Sequence, residues 1–126
     1  MKRVVFAAIL LAALIGFNFF CLGTIEKIKD EATEKLGELY LCAESGNLLK
    51  TASECEKFTD YWHSEHHILS RIVRHELLDE ATMSVARFVP LAKFGETGEL
   101  ASEINRCRFL IEEIWDSEIP FLRNIF

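Results

Sequence analysis

The chain has 126 residues, half of them hydrophobic, and a formal net charge of −6, which suits one small domain. Without Lys2 and Arg3 it carries 12 basic and 20 acidic residues, so the net charge of the remainder is −8. Because binding to a phosphate backbone needs a basic surface, this charge excludes nucleic acid as an expected partner.

An uninterrupted apolar segment follows the first three residues. Residues 4–22 read VVFAAILLAALIGFNFFCL, which is 19 residues without a charge. At about 1.5 Å per residue, a helix of this length matches the hydrocarbon core of a bilayer. Two basic residues precede the segment and the net-acidic tract GTIEKIKDEATE follows it. The positive-inside rule therefore predicts a cytoplasmic N-terminus, a cell-membrane anchor over residues 1–23 and an extracytoplasmic domain over residues 24–126.

The residues at the end of the apolar segment distinguish an anchor from a cleaved signal. A cleaved signal has a shorter apolar core, followed by small residues at its cleavage site. Phe19 and Phe20 stand where those small residues are needed, and Phe20 also opposes lipid attachment at Cys21. We therefore expect an uncleaved signal anchor, in which Phe17, Phe19 and Phe20 contact the lipid bilayer or a partner helix.

The remaining chain predicts an all-α fold, with an antiparallel bundle of about four helices after the transmembrane helix. Apolar residues recur at spacings of three and four, and the chain contains only two prolines. The first helix of the bundle covers Ile25–Ala43 and is expected to run on from the apolar segment with little break. Residues 45–47, Ser-Gly-Asn, then predict a turn.

The later helices follow from the same spacing and from two further interruptions. The second helix begins near residue 48 and is expected to break or bend between His75 and Asp79. The third is expected to kink at Pro90, because proline removes one helical hydrogen bond. The turn GETG separates the third helix from the fourth, which Glu99 begins.

Alternating helix directions have a consequence for the last residues. If the first helix leaves the membrane, the fourth returns to it, because short connections favour opposed neighbours. The apolar tract EIPFLRNIF, residues 118–126, is then expected near the bilayer. Phe121 and Phe126 are its candidate contacts with lipid, with a membrane partner or with the underside of the bundle.

All four histidines lie in one tract, DYWHSEHHILSRIVRHE, residues 60–76. His63 and His67 are an i, i+4 pair that could grip one metal ion, but stable sites need three or four ligands. Three interpretations stay open: a solvated helix face, a weak metal site at this pair, and a pH-responsive surface. His75 is expected at a helix end, where an imidazole can bond free carbonyls or interact with the helix dipole. No cofactor is predicted.

A helical wheel of the same tract places its apolar face on residues that include Tyr61 and Ile68, with Glu65 among them. A buried carboxylate needs a partner or a raised pKa. Arg106 or Arg108 on the last helix could supply that partner. The alternative is a solvated gap in the bundle.

Four cysteines occur, and their spacing matches no zinc or redox motif. In an extracytoplasmic domain, Cys42 and Cys55 are the best candidates for a disulfide, since they flank the turn at residues 45–47. Their unequal distances from that turn leave the geometry open. Burial as small hydrophobic residues is the alternative.

One tract resembles a known family. It begins at Trp62, reads W…ILSRIVRHELLDEATMSVARF, and continues after a glycine-bearing turn with ELASEINRCRFLIEEI and NIF. This pattern resembles the domain of unknown function 4363 family, which is bacterial, found mainly in Firmicutes and without an established activity. The matching positions are Trp62, His75, Glu76, Asp79, Ala86, Arg87, residues 109–111 and residues 124–126. The resemblance implies a membrane-anchored helical region, and we expect structural roles for Trp62, His75, Glu76 and Asp79.

The sequence favours binding over catalysis. No phosphate-binding loop, nucleophile elbow or supported Cys–His pair is present, so we expect no enzyme activity. The anchor, its phenylalanines and the returning apolar tract favour an accessory or scaffold subunit that binds another membrane protein or itself. The alternative is an extracytoplasmic ion or small-ligand binder or sensor that uses the face with His63 and His67.

Overall fold

The computed structural model describes the backbone of residues 1–124 and the side chains of residues 1–117. These residues are helical almost throughout, and no strand occurs among them. In chain order the helices are α1 Lys2–Ser45, α2 Leu48–Ile72, α3 His75–Ala86, α4 Phe88–Lys93 and α5 Thr97–Asn124. The predicted fold class is confirmed: one long apolar N-terminal helix and a bundle of packed helices, in which α3 and α4 together fill the third position.

The first helix, α1, runs without a break for 44 residues, from the apolar segment into the bundle. Gly23 lies within it and does not interrupt it. From Cys21 onward the buried residues recur every third or fourth position: Cys21, Ile25, Ile28, Ala32, Leu36, Leu39 and Ala43. The expectation that the amphipathic helix continues directly from the apolar segment is therefore confirmed.

The turn between α1 and α2 forms where the sequence predicts it. Gly46 ends α1 in the left-handed conformation, with φ of 77°, which glycine adopts at little cost. The Asn47 side chain then caps α2 by accepting a hydrogen bond from the Lys50 backbone N–H at 3.1 Å. The Thr51 hydroxyl lies 3.0 Å from the Cys42 carbonyl oxygen, which fixes the register of the two helices.

The break after α2 lies earlier than predicted. It falls at Val73 and Arg74, so His75 opens α3 and Asp79 lies inside that helix. Val73 has extended backbone dihedrals and is buried in the core, so tertiary packing sets this break without a glycine or proline. His75 lies at a helix end, as expected, but at the start of α3, whose first residues leave N–H groups free, while the nearest free carbonyls belong to the last turn of α2. Its capping role stays a prediction.

The third predicted helix is split at Arg87 and not bent at Pro90 itself. Pro90 is the third residue of α4. A proline cannot donate to the carbonyl four residues earlier and its ring clashes there, so the disruption falls upstream of the proline. The Arg87 N–H instead donates to the Ser84 carbonyl at 3.1 Å, in a tighter turn.

An aromatic cluster at the centre of the core joins α2 to α3 and α4. Trp62 is 1% exposed and stacks on Phe58 with ring centroids 6.5 Å apart. Phe58 also meets Phe88 of α4 at 5.8 Å. The Trp62 indole N–H donates to the Thr82 hydroxyl of α3 at 3.0 Å, so its one polar atom is satisfied. The structural role expected for Trp62 has this physical basis.

The buried stripe of α2 is rotated from the predicted one. It consists of Thr51, Cys55, Phe58, Trp62 and Leu69. Ile68, which the wheel placed at the core, is 45% exposed. The small residues Thr51 and Cys55 take core positions in this stripe, and Ile68 and Tyr61 lie at its edge.

Candidate functional site: the membrane-proximal surface

The apolar half of α1 is the most unusual surface of the molecule. An 18-residue window of this helix has a mean hydropathy of 2.5, and only 6% of it is buried inside the described structure. By length and composition, α1 is the one helix among the described residues that could cross a membrane. A signal sequence would have the same properties, so α1 is compatible with a membrane anchor. Its orientation stays an expectation from the charges that flank the apolar segment.

The three phenylalanines assigned to membrane or partner contact lie on the outside of α1. Phe17, Phe19 and Phe20 are 65%, 68% and 67% exposed. The next residue, Cys21, is buried in the bundle. The buried stripe of α1 therefore begins at Cys21, at the end of the apolar segment.

A shallow, mostly apolar groove lies beside this transition, between α1 and α2. It is lined by the following uncharged residues: Phe19, Phe20, Gly23, Thr24 and Ile28 of α1, and Ile68 of α2. The charged residues Lys27, Glu31 and Glu65 also line it. The groove is continuous with the exposed face of the apolar segment, because Phe19 and Phe20 belong to both.

A polar cluster further along α1 and α2 closes the space between these helices. The Tyr61 hydroxyl donates to Glu31 at 3.3 Å, and the Lys35 ammonium lies 4.9 Å from the centre of the Tyr61 ring. Burial, and next the negative charge of Glu31, raise the pKa of the Tyr61 phenol above its usual range. The cluster therefore joins α1 to α2 through side-chain contacts.

The histidines are on the surface of the bundle. His63 and His67 are exposed on α2, and His66 is half-buried. Within the part of the chain that the structure describes, no group of three or more His, Cys, Asp or Glu side chains is placed to hold a metal ion. The pair therefore has an i, i+4 geometry and no third ligand among these side chains.

All four cysteines are free thiols in the structure. Burial raises the pKa of Cys55 to about 12, with a smaller contribution from the nearby Cys42. Thr51 lies level with Cys42, so Cys55 is one helical turn further along α2. A disulfide between Cys42 and Cys55 would require the helices to shift, and the pairing stays a prediction.

The three other residues expected to serve structure lie together on α3. His75, Glu76 and Asp79 are all exposed. His75 and Glu76 occupy the first turn of α3, where a negative charge such as that of Glu76 is favourable. Because their side chains reach solvent, core packing does not account for them.

The buried carboxylate of the bundle is Glu103 on α5, which the sequence did not single out. Its side chain is 8% exposed and lies 3.2 Å from Arg87 and 3.4 Å from Arg106. The Ser84 hydroxyl lies 3.4 Å from the same carboxylate, so the network ties α3 to α5. Arg106 therefore pairs with Glu103 and not with Glu65, and the only sequence signal was the Glu–Arg spacing of three.

The last helix returns toward the apolar segment. On α5, the ring of Trp115 lies 5.4 Å from the ammonium of Lys29 on α1. Nine more residues carry α5 about 13 Å further, to the level of Phe20. The Phe121 side chain and the whole of Phe126 lie outside the described part, so their membrane or partner contacts stay predictions.

A comparison with protein-family models matches residues 19–125 to the family described as Domain of unknown function (DUF4363). The match confirms the family that the sequence resembles, over the last residues of the apolar segment and nearly all of the bundle. No curated protein and no solved structure matches the chain.

Proposed function

We propose that this chain, which belongs to the DUF4363 family, is a single-pass membrane protein that serves as a non-enzymatic accessory or scaffold subunit of another membrane protein. The observation that carries the proposal is the two-part character of α1. One unbroken helix exposes large apolar side chains on all sides in its first half and builds the bundle with its second half.

The continuity of α1 links the orientation of its apolar half to the orientation of the bundle. The 44 residues of α1 extend about 65 Å at 1.5 Å per residue, which exceeds the thickness of a bilayer core by roughly a factor of two. Because no break separates the halves, a partner that binds the first half also fixes the direction of the bundle. The basic residues Lys2 and Arg3 support a cytoplasmic N-terminus and an extracytoplasmic bundle.

Two glycines on one face support a protein partner for the apolar half. Gly16 and Gly23 are seven residues apart, about two turns, so they lie on the same face of α1. A side chain added at either would meet no atom within 4 Å. The fold of this chain therefore does not need glycine there, whereas close packing of a second membrane helix favours small residues.

The bundle itself supports binding in preference to catalysis. Its interior is filled by apolar side chains that include Trp62, Phe88 and Leu36. The grooves on its described surface are shallow, and the strongest electrostatic clusters, at Tyr61 and at Glu103, join helices to each other. Such a domain presents surfaces to a partner and offers little enclosed volume to a substrate.

Site-specific photocrosslinking in native membranes tests the proposal. A photoreactive amino acid replaces Phe19 or Phe20, which flank the glycine face, in the full-length chain, and replaces Leu49, which is 87% exposed at the far end of the bundle, as the control. We expect one discrete protein adduct from the first two positions and none from Leu49. Adducts with lipid alone from Phe19 and Phe20 would contradict the proposal.

Two matched substitutions sharpen this experiment. Gly23→Leu fills the face on which a partner helix would approach, and Ala7→Leu places the same side chain nine residues before Gly16, on the opposite face. We expect Gly23→Leu to abolish the protein adduct and Ala7→Leu to retain it. Equal adduct yields from both variants would show that this face is not the binding face.

A further inference from the structure

The connection between α2 and α3 lies at the same height as the end of the apolar segment. Ile68 of α2 lines one groove together with Phe20, Gly23 and Thr24 of α1. The two helices are antiparallel, so the residues after Ile68 lie progressively closer to the bilayer. Arg71 is about 4.5 Å beyond Ile68, which places it level with the last residues of the apolar segment.

The charge of this end differs from that of the bundle as a whole. Residues 66–75, HHILSRIVRH, contain two arginines and three histidines and no acidic residue, although residues 24–126 are strongly acidic. His67, Arg71 and His75 are exposed there, and so is the apolar Ile68. Cationic side chains beside an exposed apolar one are suited to a membrane interface, where stems lie in the acyl region and charged ends in the headgroup layer.

We propose that this end of the bundle is a second membrane-contact site, which binds the phosphate groups of anionic phospholipids through Arg71, His67 and His75. The proposal rests on the membrane-spanning role of α1. The planar guanidinium of Arg71 can donate two parallel hydrogen bonds to one phosphate, and imidazole N–H groups supply further donors. Ile68 enters the boundary between headgroups and acyl chains.

The height of the site identifies its occupant. Because α1 is continuous, the α2–α3 connection is held at the headgroup layer whatever protein binds elsewhere on the chain. Phosphate is the anion present at high density in that layer, and an anionic surface attracts basic residues within about a Debye length, roughly 8 Å. The second attachment would fix the tilt of the bundle, which the anchor alone leaves free.

The depth of the site can be measured in the full-length protein in lipid nanodiscs. A photoreactive amino acid replaces Arg71 in one variant and His63 in a second. His63 is exposed on the same helix and lies about 12 Å further from the bilayer. We expect lipid adducts at Arg71 and few at His63. Equal lipid yields at the two positions would overturn the proposed height.

The charge preference is tested by a matched pair of substitutions. Arg71→Glu and Lys50→Glu change the charge equally, at opposite ends of the exposed surface of α2. Spin-labelled phosphatidylglycerol and phosphatidylcholine report which lipid the protein holds. We expect Arg71→Glu to lower the preference for phosphatidylglycerol about five- to tenfold and Lys50→Glu to leave it unchanged. Equal preferences in the two variants would overturn the electrostatic part of the proposal.

Failure of the premise would have a different signature. If α1 did not span the bilayer, the wild-type chain would be released from membranes by alkaline carbonate, whatever residue stands at position 71. If only the headgroup site were wrong, the chain would stay in the membrane fraction and Arg71→Glu would behave as Lys50→Glu does.

Discussion

The two halves of α1 are one helix with two different environments. Residues 2–20 expose apolar side chains in every direction, whereas residues 21–45 bury one stripe and expose charges on the opposite side. Side-chain polarity thus changes along a backbone that does not change. A uniformly apolar helix is stable in an apolar environment, whereas an amphipathic helix packs one face on a core and exposes the other to water. The two halves of α1 therefore suit two different environments.

The largest expected effect is a difference in unfolding free energy between a substitution in the bundle core and one in the apolar half of α1. Trp62→Ala removes the buried centre of the aromatic cluster and should lower the free energy of unfolding of the bundle by about 3–5 kcal/mol. Phe17→Ala, in the exposed half, should change it by less than about 0.5 kcal/mol. Urea unfolding of the full-length protein in detergent micelles, followed by circular dichroism, measures both. Similar losses in the two variants would contradict the division of α1.

A smaller effect is expected at the buried carboxylate. Glu103→Gln weakens the contacts with Arg87, Arg106 and Ser84, and should cost about 1–2 kcal/mol, since both arginines are half-exposed. Glu99→Gln, which removes an exposed pair with Arg87 at 3.8 Å, is the control and should cost about 0.5 kcal/mol or less. The same unfolding experiment distinguishes them. An equal cost would mean that burial of Glu103 contributes nothing.

The buried thiols give the bundle a dependence on alkaline pH. Burial raises the pKa of Cys55 and Cys107 from the ordinary 9.0 to about 12. The folded state thus holds these protons more tightly than the unfolded state, so their contribution is complete below pH 9 and is lost as pH rises toward 12. We expect the free energy of unfolding to fall over this range. The slope should be shallower in a Cys55→Ala, Cys107→Ala double variant, and an unchanged slope would argue against buried thiols.

The smallest effect is expected at the exposed histidines. A His63→Ala, His67→Ala double variant should unfold within about 0.5 kcal/mol of the wild type and keep the partner adduct at Phe19. The same variant tests the alternative function as an ion binder. If zinc raised the melting temperature of the wild type and not of the double variant, the result would favour a metal site at His63 and His67.

The sequence predicts those parts of the fold that local signals determine. Gly46 and Asn47 specify the first turn by themselves, because one adopts positive φ and the other caps α2. The spacing of the apolar residues likewise predicts α1. The break after α2 was predicted too late, because it depends on the burial of Val73 and no glycine or proline marks it. The break at Arg87 was predicted at Pro90, because a proline disrupts the helix upstream of its own position.

The candidate surfaces depend even more on contacts that are distant in sequence. The three exposed phenylalanines proposed for membrane or partner contact follow from the apolar segment alone. That Arg71 lies near the end of the apolar segment, on which the proposed phosphate site depends, follows only from the fold, in which Ile68 and Phe20 line the same groove. Glu65 was placed on the core face because the wheel followed the large apolar residues of α2, whereas its buried stripe also includes the small residues Thr51 and Cys55. The burial of Glu103 follows only from its contacts in the fold with Arg87 and Arg106.

The central claim is that the apolar half of α1 recruits a membrane protein to which the bundle is rigidly attached. Crosslinked affinity purification of the full-length chain from native membranes tests it most directly, with a control in which an unrelated membrane helix replaces residues 4–22. We expect a stoichiometric membrane protein with the native chain and its loss with the control. Recovery of the chain alone in both cases, or of the same partner with both, would contradict it.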